Sequence, residues 1–150
     1  MERDILLYLS LKYDGNTSKI SDAIEKVEMF SQYEYNSMLR TQLYKCVDFM
    51  DYYYPQELKF LENKPFTMFY YGDIRLLYEK DTDKKFYVSD KGNYGIAVTK
   101  TYIDDNNMPI FNYLVMDQCH SELDEIVIDL KREGIEPEQP QRPKVKERSR

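Results

Sequence analysis

Tyr94-Gly95-Ile96-Ala97-Val98-Thr99-Lys100-Thr101-Tyr102-Ile103, then Asp104-Asp105-Asn106-Asn107-Met108-Pro109, then Ile110-Phe111-Asn112-Tyr113-Leu114-Val115-Met116, is the stretch on which the fold turns. Ile96, Val98, Thr99, Thr101 and Ile103 are β-branched; such side chains lose freedom in a helix and pack well on a pleated surface. The segment between the two apolar runs is rich in Asp, Asn and Pro, which is turn chemistry. The economical reading is an antiparallel hairpin with arms at 95–103 and 110–116. A hairpin needs a sheet to join. Cys46-Val47-Asp48-Phe49-Met50 and Lys85-Phe86-Tyr87-Val88 are short and rich in strand formers. Phe66-Thr67-Met68-Phe69-Tyr70-Tyr71 reads as a buried strand closed by Gly72-Asp73.

Upstream the period changes from two to about 3.6. Ile5, Leu6, Leu9 and Tyr13 share a helical face that Gly15 terminates. Thr17 or Ser18 caps a second helix bearing Ile20, Ala23, Ile24 and Val27. A third runs from about Ser31 to Lys45 with Tyr35, Met38, Leu39 and Leu43. Pro55 suits the first turn of a short helix carrying Leu58 and Leu61. Ser121 and Asp124 resemble a capping box before Ile126, Val127 and Leu130, and Gly134 ends that last helix. The expected class is α+β: an N-terminal helical bundle, then a small mixed or antiparallel sheet with a C-terminal helix. The expected organisation is a helical region over 1–45, an α/β region over 46–136 packed with it as one domain, and a disordered basic tail over 137–150.

The 150 residues carry a net charge of −6, with 42% apolar and 32% charged residues, which suits a folded domain with one core. Residues 137–150 hold five basic and two acidic side chains, net +3, so the first 136 carry −9. That balance opposes binding to duplex DNA, so direct nucleic-acid contact is expected at most through the tail. No apolar run has the ~18 residues of a membrane span, so no membrane partner is expected. Two cysteines, Cys46 and Cys119, make no disulfide framework and point to a reducing, cytoplasmic setting. The apolar edges at 66–71 or 96–103 offer places where two copies pair.

Tyr54-Pro55, Leu58, Asn63-Lys64-Pro65-Phe66, Met68-Phe69-Tyr70-Tyr71-Gly72-Asp73 and Leu76-Leu77 resemble the DNA-processing protein A (DprA, also called Smf) family. The opening Leu6-Leu7-Tyr8-Leu9-Ser10-Leu11-Lys12-Tyr13 with Gly15 is similar to the helical N-terminal region of its members. The likeness covers about residues 1–78. It implies a connection to DNA uptake or recombination, in a family whose Rossmann-like domain binds single-stranded DNA and helps load the recombinase RecA. The family's Val-Gly-Ser/Thr-Arg turn is replaced here by Val88-Ser89-Asp90-Lys91, and its later glycine-rich stretch has no counterpart. Glycines in such turns bring backbone N–H groups to phosphate, and arginine clamps it; Asp90 puts a negative charge there instead. No DNA-binding residue is carried over. If Asn93-Tyr94-Gly95 continues the likeness, 94–104 is a helix; β-branched density argues for a strand.

No catalytic, cofactor-binding or metal-ligating residue is assigned. His120 beside Cys119 lacks zinc-ligand spacing, and adjacent residues do not aim at one point. Two surfaces are left as candidates for interaction: an acidic stripe of Glu122, Glu125 and Asp129, and aromatic anchors at Tyr53 and Tyr70. The expected function is a non-enzymatic accessory protein working through protein contacts with a recombinase-like partner. The rival is a small acidic inhibitor carried by a phage or mobile element, directed at a nuclease or other DNA-binding defence protein.

Overall fold

The computed structural model describes residues 3–137, so the tail read over 137–150 lies, Pro137 apart, outside the described residues. Five strands, β1 (Lys45–Asp48), β2 (Thr67–Gly72), β3 (Asp83–Val88), β4 (Tyr94–Ile103) and β5 (Pro109–Asp117), form one sheet in the order β1-β2-β5-β4-β3. Every neighbouring pair is antiparallel. The hairpin is β4–β5, with Ile103 opposite Pro109 and Gly95 opposite Asp117. Asp104 closes it by accepting from the backbone N–H groups of Asn106 and Met108, at 2.9 and 2.8 Å. Residues 94–103 are therefore strand and not helix. In the strand order β2 lies between β1 and β5, and β4 between β5 and β3. β3 reaches only Tyr94–Thr99 of β4, so of the 96–103 edge Lys100–Ile103 pairs with β5 alone and is open on its other side.

The class is α+β, as the sequence indicates, with helices α1 (Arg3–Lys12), α2 (Thr17–Glu25) and α3 (Gln32–Leu39) before the sheet and α5 (His120–Arg132) after it. A four-residue helix α4 (Gln56–Lys59) and a 3-10 helix at Ile74–Tyr78 lie between strands. Alternation along the strands gives the sheet two apolar faces. Met68, Ile96, Val98, Leu114 and Met116 line one, under Tyr54, Leu58, Leu76 and Leu77. The Tyr54 hydroxyl satisfies itself there by donating to the Pro65 carbonyl at 2.6 Å. Phe69, Tyr113 and Val115 line the other, under Leu123 and Val127 of α5 and Leu7 and Leu11 of α1. Fully burying one side chain such as Phe69 stabilises by about 2–3 kcal/mol. Behind α1, Tyr8 and Leu9 pack with Ile20 and Ala23, and the Tyr8, Phe30 and Tyr35 rings gather at 4.4–5.8 Å.

Several boundaries differ from the sequence reading. The cap of α2 is Asn16, whose side chain accepts from Lys19 N–H; Thr17 is already helical. Val27 leaves the helix with φ 51° and is exposed. The third helix ends at Leu39 instead of reaching Lys45, and Leu43 is exposed rather than part of a helical face. The reason is tertiary: the Leu43 N–H donates to His120 Nε2 at 2.9 Å, which pulls the chain out towards β1. The Ser121–Asp124 capping box does not form either. Cys119 is the cap residue, the Ser121 hydroxyl donates to Asp14, and Asp124 accepts from the Tyr44 hydroxyl. Both side chains serve the junction with the N-terminal layer. No helix among the described residues is long and apolar enough to cross a membrane.

Candidate functional site: an acidic cleft

Gly95 opens the site. Tyr87 of β3 faces Gly95 of β4 in the register, and an ideal Cβ at Gly95 would stand 2.0 Å from the Tyr87 ring. Glycine lets the ring lie flat across the neighbouring strand, the close approach that a glycine inside a strand signals. The Tyr87 hydroxyl then reaches Asp117 Oδ2 at 3.0 Å. Asp117 ends β5 and is 1% exposed; its Oδ1 accepts from Cys119 N–H at 2.8 Å. Burial pushes the Asp117 carboxyl up to about 6, and the Glu122 and Asp14 charges push the same way. The two hydrogen bonds to it oppose that rise without cancelling it.

Glu122 sits in the first turn of α5. Its Oε2 accepts from Asn93 Nδ2 at 3.3 Å and Ser89 Oγ at 3.4 Å. Its Oε1 is buried and has no hydrogen-bond partner among the described residues. Glu125 and Asp129 follow three and seven residues on, along the same helical stripe. Asp90 and Lys91, in the turn between β3 and β4, form the facing wall. Tyr87, Asp90, Asp117, Glu122, Glu125 and Asp129 thus line one cleft of about 340 Å³, with Lys91 as a basic residue on its lining. Carboxylates gathered around low-dielectric walls focus a negative potential, which attracts a cation and repels phosphate.

The acidic stripe Glu122, Glu125 and Asp129 is brought into one site, on the α5 side of the sheet. Tyr53 and Tyr70 are not part of it. They are half-buried against the opposite core with Met68 and Leu76, and Tyr53 packs edge-on to the exposed Tyr52. Sequence reasoning missed Asp117, Tyr87 and Asp90; Asp117 is distant in the chain from the other two and meets them only through the β3–β4–β5 register. Gly95 inside a strand was the available signal.

Cys119 and His120 stand at the N-terminus of α5. The imidazole accepts the Leu43 N–H and packs on Tyr44 and Phe69. Burial lowers its pKa, since a charged ring would be desolvated and would lose its acceptor nitrogen. Neutral His120 therefore supports the fold at neutral pH, and that contribution fades as pH falls from the ordinary histidine value through the lowered folded one. An NMR titration of the ring is expected to show a midpoint below 6.5, with protection of the Leu43 amide lost in the same window. Burial pushes the Cys119 thiol up to about 11, which suppresses thiolate chemistry. Cys46 and Cys119 are both free thiols. Among the described residues, no three His, Cys, Asp or Glu side chains are grouped to hold a metal ion.

No protein-family model, no curated protein and no solved structure matches this chain.

Proposed function

We propose that this chain is a non-enzymatic protein that acts through protein contacts, its acidic cleft receiving a basic group of a DNA-binding partner. The observation that carries this reading is the cleft itself: Asp90, Asp117, Glu122, Glu125 and Asp129 around one opening. Burial and the neighbouring Glu122 and Asp14 charges disfavour the Asp117 carboxylate, and a cation entering the cleft relieves it. A fold that keeps such an arrangement gives up stability there, as proteins do at binding sites. A surface that normally holds nucleic-acid phosphate is the complementary partner surface.

Two settings use this cleft in the same way. The likeness of residues 1–78 to the DNA-processing protein A family supports DNA uptake or recombination, with a recombinase-like partner in a bacterial cytoplasm. The acidity supports the alternative, an inhibitor from a phage or mobile element that occupies the DNA groove of a nuclease or defence protein.

The test measures binding of a labelled oligo-arginine peptide and of labelled single-stranded DNA to the full chain. The peptide is expected to bind and to weaken steeply between low salt and about 0.5 M, where screening shortens to a few ångströms. Glu122→Gln with Asp129→Asn is expected to lower peptide affinity about tenfold. Peptide binding indifferent to both salt and these substitutions contradicts the reading. So does single-stranded DNA binding by a chain that lacks residues 138–150.

A further inference from the structure

We propose that the open edge of β3 is a self-association surface, on which a second copy of this chain pairs antiparallel and joins the two sheets into one. The inference goes beyond the cleft reading and does not depend on it. The two terminal strands of the five-stranded sheet are unequal. β1 contributes four residues, whereas β3 contributes six and pairs only with β4.

Ladder alternation fixes which backbone groups face outward. The Ser89 N–H bonds to Asn93 O, while the Tyr94 backbone bonds to Gln118 on the β5 side. Bonded pairs recur every second residue in an antiparallel ladder, so Asp83, Lys85 and Tyr87 bond inward to β4. Lys84, Phe86 and Val88 then direct their N–H and C=O groups away from the sheet. Unpaired strand groups of this kind are a template for another chain.

The side chains at this edge are apolar where they need not be. Phe86 is 45% exposed and Val88 60%. The Lys84 ammonium is occupied, bonded to Glu57 and to the Leu77 carbonyl. Two exposed apolar side chains on an open edge make a surface that a second copy would cover.

Charge narrows the register. Pairing centred on Lys84 or Lys85 sets two lysines directly opposite each other, which is destabilising. Pairing centred on Phe86 sets Phe86 against its own copy and Lys84 against Val88. It also sets Lys85 of each molecule against Tyr87 of the other, at the mouth of a cleft lined by Glu125 and Asp129. The exposed lysine that would guard the edge against association thus becomes a complementary contact between two copies.

Sedimentation velocity of the full chain over a concentration series tests this. The expected result is a monomer–dimer equilibrium. Phe86→Glu is expected to weaken it about tenfold or more while leaving the far-ultraviolet circular dichroism unchanged, because the site is exposed. Phe86→Cys, on the two-fold axis, is expected to cross-link into a covalent dimer under mild oxidation, and Asp83→Cys, away from the axis, is not. A chain that stays monomeric at the highest concentration, or a dimer that survives Phe86→Glu, overturns the proposal. Failure here leaves the oligo-arginine result untouched, so the two readings fail separately.

Discussion

Gly15→Ala is expected to destabilise the protein by about 3–5 kcal/mol, a large loss for the addition of one methyl group. Gly15 follows α1 with φ +79°, where a side chain meets its own backbone. That strain alone costs about 1–2 kcal/mol. A Cβ there would also stand 2.3 Å from the carbonyl oxygen of Gln118, a backbone atom that cannot step aside. Gln118 is the joint between the helical layer and the sheet. Its buried amide donates to the Gly15 carbonyl at 2.7 Å and accepts the Tyr94 N–H at 2.8 Å. Parting the two segments leaves buried polar groups unpaired, at about 1–3 kcal/mol each. Gly134→Ala is the control: φ is +75° and nothing lies within 4 Å of its Cβ, so only the conformational strain remains. Urea unfolding of the two variants should separate clash from strain. Equal losses would show that the Gly15–Gln118 contact carries little.

Asp117→Asn is expected to act in the opposite direction, raising stability at neutral pH by about 2–3 kcal/mol. Burial raises the Asp117 carboxyl from 3.8 to about 6, so the folded state holds this proton more tightly than the unfolded chain does. The stability it contributes is therefore complete below about pH 4 and is lost as pH rises through about 6. Asparagine keeps an oxygen for the Cys119 N–H and removes the charge. The variant's stability should stop declining across that window. Asp73 supplies the contrast: burial opposes its charge, yet hydrogen bonds from Arg75 and Asn112 hold it below the ordinary carboxylate range. Its contribution is lost only as pH falls, at the acid end of the same curve. The Asp117→Asn protein should also bind oligo-arginine more weakly than the parent, a gain in stability at the expense of binding. Chemical denaturation at several pH values, paired with the peptide titration, checks both halves. A variant that is less stable at neutral pH would mean that Asp117 is structural and its charge well compensated.

Strands were legible where side-chain period and turn chemistry agreed. Ile96, Val98 and Ile103 against the Asp-Asn turn identify the hairpin, and Met68–Tyr71 alternates between two cores. Helix boundaries were less legible because distant groups set them. His120 draws Leu43 out of a helix that its apolar pattern would extend, and Tyr44 claims the carboxylate that would have joined a capping box. Half of the cleft was visible for the same reason. Glu122, Glu125 and Asp129 share a helical stripe that spacing alone displays. Asp117, Tyr87 and Asp90 reach them through sheet register, which one sequence does not encode locally. Tyr53 and Tyr70, read as anchors by composition, are half-buried on the other face of the sheet, apart from the cleft.

The most direct measurement is a carboxyl carbon NMR titration of Asp117 in the full chain, with and without saturating oligo-arginine peptide. In the free protein the midpoint should lie near 6. A cation seated in the cleft favours the charged carboxylate, so with peptide bound the midpoint should fall towards the ordinary aspartate value. A midpoint unchanged by bound peptide, or an ordinary value in the free protein, would contradict the assignment of this cleft as the binding site.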